Sequence, residues 1–496
     1  MNSDVSGEPS VSADPSGSAD PSRSGDLDAE LAAIRSGPQG AQIAAIFDFS
    51  GTVIAAPPVP GPFRRLFRGR DIANVLLRGI RGDTTDGAYG RWLHQLAEVS
   101  AGRPEAELDE LGVRLFRKTT YEYLYPEAWQ LIRTHQAAGH TVVLASSLTR
   151  FQVAPAAAAL GIEHVLCTPM AVQDGMLTGY ADGKTLWRNG KAAAVREFAA
   201  DHGLDLEHSY GYADSDADLP LLALVGHPVA VNPDRRIATT AAENRWPVMH
   251  FAARQAARPT DYLRTTAGFA GLLGGAFYGV AAKSATKDRQ RMADALMAHA
   301  AGNTLRITGV QLRVLGAEHA RSPRPAVFLF NHQSQFDIII VPEVLGGGVT
   351  GIGKKELTRN PIFGPLMRFV GVTFIDRSST SAAKAALAPV VETLRGGLSI
   401  AVAPEGTRSY TPEVGPFKKG AFHIAMQAGV PVIPIVVRNA GEICRRNAMV
   451  ARPGIVDVAV LEPIDVSDWD PADLDAKVSE VRQRYVDLLL DWPRPD

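Results

Sequence analysis

Residues 326–337 read AVFLFNHQSQFD: five apolar residues, then a polar turn that carries His332 and Asp337. An apolar run of this length stopping in a polar turn reads as a buried strand that delivers side chains to a sheet edge. The pattern recurs around it. VTFID (372–376) leads into Arg377, SIAVA (399–403) into PEGTR (404–408), and VPVIPIVV (430–437) forms a later run. Upstream, IAAIFDF (43–49), TVVLASS (141–147) and Tyr210–Ala213 end near Asp48, Ser146 and Asp214, and PVAVN (228–232) follows. Helical stretches separate these runs. Such alternation predicts an α/β fold with parallel sheets and ligands at the strands' carboxyl ends. Two units of this kind stand in tandem.

The chain has 496 residues, more than one ordinary domain holds. A net charge of −2 gives no global basic field, so a nucleic-acid partner is not expected. Two cysteines, Cys167 and Cys444, exclude a disulfide framework and fit a reducing cytosol. The first forty residues, rich in Ser, Asp, Gly and Pro, predict a disordered tail over 1–41. The final helix is expected to start at Asp470-Pro471, with Leu474, Val478, Val481, Tyr485 and Leu488 along one face.

Transfer of an acyl group from a thioester to an alcohol needs a base, a group that orients the base, and oxyanion stabilisation. A turn in NHQSQFD can bring Asp337 back to the His332 imidazole, fixing its tautomer. In PEGTR, Thr407 and Arg408 can grip a phosphate while Gly406 lets the backbone approach. Glu405 would orient a cation or a substrate hydroxyl, and Arg377 would be a second phosphate ligand. Taken singly, each residue fits a surface turn. Together, in this order at strand ends, they make a site.

The amino-terminal unit supplies a different set. Asp48 is a candidate nucleophile toward phosphorus, Ser146 and Lys191 can hold the phosphate, and Asp48, Asp214 and Asp218 offer carboxylates to Mg²⁺.

Residues 305–465, approximately, resemble the glycerolipid acyltransferases through NHQSQFD (331–337), GVTFIDR (371–377), PEGTRS (404–409) and VPVIP (430–434). The resemblance implies His332 as base, Asp337 as its partner, and Arg377 with Glu405, Gly406, Thr407 and Arg408 as binders of the acceptor's glycerol phosphate. Lys354, in GIGKKEL, adds positive charge there by the same resemblance. Ala403 stands where the family often has an aromatic. The donor implied is acyl-CoA or acyl-carrier protein.

Residues 42–250, approximately, resemble the haloacid dehalogenase-like phosphatases of the phosphoserine-phosphatase branch. The matching pieces are DFSGTV (48–53), TVVLASS, DGMLTG (174–179), NGKAAAVREFA (189–199) and YADSDADLPLL (212–222). The resemblance implies Asp48 as nucleophile and Mg²⁺ ligand, with Asp214 and Asp218 as further ligands and a helical cap over about 58–125. One departure matters. The family's acidic residue two positions after the nucleophile is Ser50 here, which predicts an impaired phosphatase or a retained scaffold.

Thr265–Ala282 is a run of eighteen uncharged residues, near the lower limit for spanning a bilayer. Gly271, Gly275 and Gly279 recur at every fourth position, which suits close helix packing. A shallow interfacial hairpin is preferred over a packed interdomain pair, because a lipid acceptor must be drawn from a membrane. Phe63–Arg81, with six arginines among apolar residues, is a second candidate lipid contact.

The expected organisation is a tail (1–41), a phosphatase-like domain (42–250), a linker with the apolar segment 265–282 (251–300) and an acyltransferase domain (301–496). The expected activity is conversion of lysophosphatidate to phosphatidate at the cytoplasmic face of the membrane. The rivals are a phosphomonoester hydrolase with a secondary acyltransferase, and a non-catalytic membrane-docking scaffold.

Overall fold

The computed structural model describes residues 21–56, 72–80, 85–252, 257–361, 363–375 and 387–493. Two sheets organise the chain. The first is built from β1 (Ala44–Phe47), β2 (Thr141–Thr149), β3 (His164–Thr168), β6 (Tyr210–Ala213), β7 (His227–Val231) and β8 (Val248–Met249). Its strands are all parallel, in the order β3-β2-β1-β6-β7-β8. β1 is buried along its whole length, as a strand covered by helices on both faces must be.

Between β1 and β2 the chain makes helices Ile72–Ile80, Asp86–Ser100 and Glu105–Lys118. The hairpin of β4 (Met170–Gln173) and β5 (Met176–Ala181) packs on the second of these. A hairpin distant in sequence therefore joins these helices.

The second sheet has the order β12-β11-β13-β10-β14-β15-β9. Its strands are β9 (Val310–Leu315), β10 (Val327–Phe330), β11 (Val349–Lys354), β12 (Thr373–Ile375), β13 (Ser399–Val402), β14 (Val432–Arg438) and β15 (Gly454–Val460). All neighbours are parallel except β14 and β15. β10 sits between β13 and β14, so the NHQSQFD and PEGTR turns leave adjacent strands at one edge.

Two expectations are corrected. Residues 21–36 form a helix rather than part of a disordered tail. Leu27, Leu31 and Ile34 line one side of it and pack on the core, Leu31 and Ile34 being buried. This short apolar stripe was hidden by the polar average of the first forty residues. The last helix runs Leu474–Leu490, and Pro471 lies ahead of it, in a turn where Ala472 N donates to Asp470 Oδ1 at 2.8 Å.

Helix Pro259–Lys283 is 25 residues long and packs along helix Arg289–Thr308. A Cβ at Gly275 would lie 2.5 Å from the His299 carbonyl oxygen, and one at Gly279 2.5 Å from that of Ala295. Only glycine allows this approach. By length and composition this helix is long and apolar enough to cross a membrane. Most of Phe63–Arg81, including every arginine except Arg78, lies outside the described residues.

Two candidate active sites

In the second sheet, β10 ends at Phe330 and the chain turns into a helix that begins at Asp337. Asn331 locks this turn to β14. Its Nδ2 donates to Val437 O at 2.9 Å, and its Oδ1 accepts from Val437 N at 2.7 Å. Asp337 is fully buried at the helix N-terminus, where a carboxylate suits the helix dipole. Its Oδ2 lies 2.7 Å from His332 Nδ1 and accepts from Gln333 N and Ser334 N, each at 2.9 Å. His332 Nδ1 must then carry the proton, which leaves Nε2 as the acceptor. The imidazole side chain is 22 % exposed, open to a substrate hydroxyl.

Glu405 departs from the expectation that it faces the acceptor. It is buried, and its two oxygens accept from His332 N at 2.7 Å and Gly415 N at 2.8 Å. It ties the His332 loop to the following segment. Burial raises its pKa to about 7, against the two backbone donors that favour the carboxylate. Ser409 N adds a second tie, donating to His332 O at 2.8 Å. Gly406 takes φ +73, a left-handed conformation that suits glycine. Thr407 Oγ1 accepts from Arg446 Nη2 at 3.2 Å, and Arg408 Nη1 donates to the Arg446 carbonyl. Arg377 and the Lys354 side chain lie outside the described residues.

In the first sheet, the register pairs Phe47 with Leu144 and Tyr212, so Asp48, Ser146 and Asp214 reach one edge. Lys191 Nζ bridges Asp48 Oδ1 at 2.6 Å and Asp218 Oδ1 at 2.5 Å. Asp48, Asp214 and Asp218 each place a carboxylate oxygen within 4.8 Å of the others. Burial pushes Asp48 up to about 7, opposed by the Lys191 charge. Burial, then the charges of Asp48 and Asp218, hold Asp214 far above the usual carboxylate range. Burial alone would depress Lys191, but the two carboxylates outweigh it and keep the ammonium charged. Three crowded carboxylates, Asp48 and Asp218 buried and Asp214 partly so, fit a hard divalent cation in donor chemistry. Ser146 is buried, and its Oγ accepts from Leu148 N at 3.2 Å. Ser50 bridges to Ile54 in the turn after Asp48.

Sequence reasoning missed three features: the Asn331 lock, the two backbone donors on Asp337, and Arg446. The first two lie inside a motif already singled out, whereas Arg446 lies in none.

This geometry sets out two sites, a His–Asp pair in one α/β unit and a carboxylate–lysine cluster in the other. Residues 311–438 match the acyltransferase family, and residues 45–223 match the haloacid dehalogenase-like hydrolase family. A 1-acyl-sn-glycerol-3-phosphate acyltransferase of Saccharomyces cerevisiae is 32% identical over 243 residues, 46% of this chain and 78% of that protein. The corresponding enzyme of Cocos nucifera is 33% identical over 202 residues, 40% of this chain and 65% of its own length. A probable phosphatase of Mycobacterium tuberculosis is 34% identical over 229 residues, 43% of this chain and 76% of that protein. The chain belongs to both families, one in each half.

Proposed function

We propose that the carboxy-terminal unit acylates lysophosphatidate to phosphatidate, taking the acyl group from acyl-CoA or acyl-carrier protein. The observation that carries this reading is His332 Nδ1 on the buried Asp337 at 2.7 Å, with Nε2 left as acceptor. His332 Nε2 removes the proton of the acceptor's free hydroxyl as that oxygen attacks the thioester carbonyl. The tetrahedral adduct expels the thiolate, which takes the proton back from the imidazolium. Asp337 stabilises the imidazolium between these steps. Purified protein with lysophosphatidate and acyl-CoA should give phosphatidate and free thiol in equal amounts. His332→Ala should slow the reaction at least about a hundredfold. A variant with near-parental turnover would remove His332 from the role, and a parent that makes no phosphatidate with either donor would remove the reaction.

The amino-terminal unit is read as a phosphomonoester hydrolase. Asp48 attacks phosphorus and displaces the alcohol oxygen, and water then cleaves the aspartyl-phosphate to release phosphate. Lys191 and Ser146 hold the phosphate, and Asp48, Asp214 and Asp218 would hold Mg²⁺, which would screen the phosphate charge. The protein is read as docking on the cytoplasmic membrane face through helix Pro259–Lys283. Its outer side exposes Leu263 (71 %), Phe277 (78 %) and Tyr278 (60 %), which supports lipid contact.

A further inference from the structure

Arg445 and Arg446 are neighbours in the loop after helix Ala440–Ile443, yet the fold uses them differently. Arg445 forms an ion pair with Glu122 of the amino-terminal unit and lies over the Tyr123 ring. Its charge is matched. Arg446 has no carboxylate partner among the described residues. Its guanidinium stands 4.0 Å over the Tyr410 ring, its Nη2 donates to Thr407, and its Nη1 is buried without a hydrogen-bond partner among the described residues.

Arg408 lies on the same loop as Thr407, donates to the Arg446 carbonyl, and likewise has no ion pair among the described residues. After burial, the Arg446 charge is the largest influence lowering the Arg408 pKa. Two partly buried cations that oppose each other are an arrangement an anion stabilises. The next residue, Ser409, is tied by its N–H to the His332 carbonyl, so an anion held here lies beside the base.

The platform under Arg446 is set from the other half of the chain. Tyr410 packs edge-on against Tyr121, ring centroids 5.2 Å apart, and against Phe116 at 6.1 Å. We propose that Arg446, with Arg408 and Thr407, binds the phosphate monoester of the acyl acceptor, and that Phe116 and Tyr121 hold it in place through Tyr410. This rests on the acyl-transfer reading of the site. It gives the amino-terminal unit a part in acceptor recognition that is independent of its own chemistry.

The test uses the full chain and Arg446→Gln, Arg446→Lys and Tyr121→Leu. Arg446→Gln should raise the lysophosphatidate KM at least about tenfold, the scale of one charge-assisted hydrogen bond, with kcat within about twofold. Arg446→Lys should recover part of the loss, since a point charge lacks the planar fork. Tyr121→Leu should raise the same KM severalfold. The acyl-CoA KM should not move in any variant, although that donor also carries phosphates. Calorimetric titration with sn-glycerol 3-phosphate reads the site without turnover, and binding should weaken in step with the acceptor KM.

Unchanged acceptor KM and unchanged glycerol phosphate affinity would overturn the proposal. So would a rise confined to the donor KM, or a fall in kcat and thermal midpoint that Lys does not recover. Arg446-dependent binding in a protein that transfers no acyl group would keep the anion site and discard the reaction. A parent that binds no glycerol phosphate would discard the site.

Discussion

Ser50 is the residue on which the first half's chemistry turns. An alkoxide leaving phosphorus needs a proton, and a serine hydroxyl is far too weak an acid to give it near neutral pH. Ser50 sits two residues after Asp48, in the turn closed by Gly51 N on Ile54 O at 2.7 Å. The parent should therefore hydrolyse an aryl phosphate faster than an alkyl phosphate in Mg²⁺, and Ser50→Asp should raise the alkyl rate far more than the aryl rate. Brisk alkyl turnover in the parent, unchanged by Ser50→Asp, would mean that another group supplies the proton.

Glu405 makes a prediction of the same grain. Its pKa is about 7 when folded against 4.5 as the ordinary value, so the folded chain binds a proton that the unfolded chain releases above 4.5. Stability is then lost as pH rises from 4.5 through 7. Glu405→Gln carries a constant offset, because an amide replaces one acceptor, but it does not titrate. Between pH 5 and 8 the stability gap should move in the variant's favour by roughly 2–3 kcal/mol, from the size of that shift. Denaturant midpoints across this range test it, and a flat gap would place the carboxylate's pKa near its ordinary value.

At the scale of elements, helix Pro259–Lys283 has a packed face and an exposed one. Gly275 and Gly279 meet the backbone of helix Arg289–Thr308, whereas Phe277 points outward. Gly279→Val should force the pair apart and cost about 1–3 kcal/mol, as overpacking does. Phe277→Asp should leave the unfolding midpoint unchanged yet weaken binding to anionic vesicles about tenfold or more, since it puts a charge on the exposed apolar face proposed to meet lipid. Equal vesicle binding by parent and Phe277→Asp would remove this helix from membrane contact.

The sequence already separated these elements in part. Strands such as Val327–Phe330 and Val432–Arg438 were legible because strands buried on both faces are written as unbroken apolar runs. β9 was not, since exposed Gln311 and Arg313 interrupt it, and β15 was not, since a buried Asp457 breaks its apolar run. The His332–Asp337 pair was legible because both residues lie in one turn. Arg446 was not, because its partners, Thr407 and Tyr410, are more than thirty residues away and reach it only through the fold.

At the scale of the whole molecule, the question is what makes two units act as one. A buried apolar cluster includes residues of both, from Leu31 and Phe47 to Val327 and Leu489. At the junction, Glu413 lies between Arg133 of the first unit and Arg482 of the last helix, with Arg482 Nη2 3.0 Å from Glu413 Oε1. All three are partly buried. Removing the carboxylate would leave two cations facing each other. Breaking a fully buried pair costs roughly 3–5 kcal/mol, and partial exposure here lowers that to about 2 kcal/mol. Glu413→Ala should therefore loosen the junction more than either unit, and calorimetry should resolve two unfolding transitions where the parent gives one. Because Glu413 stands two residues before Gly415, which Glu405 ties to His332, acyl transfer should fall as well. Arg133→Met, which removes one cation and leaves Glu413 paired with Arg482, should do less on both measures. A single unchanged transition in Glu413→Ala would show that the apolar cluster alone joins the halves.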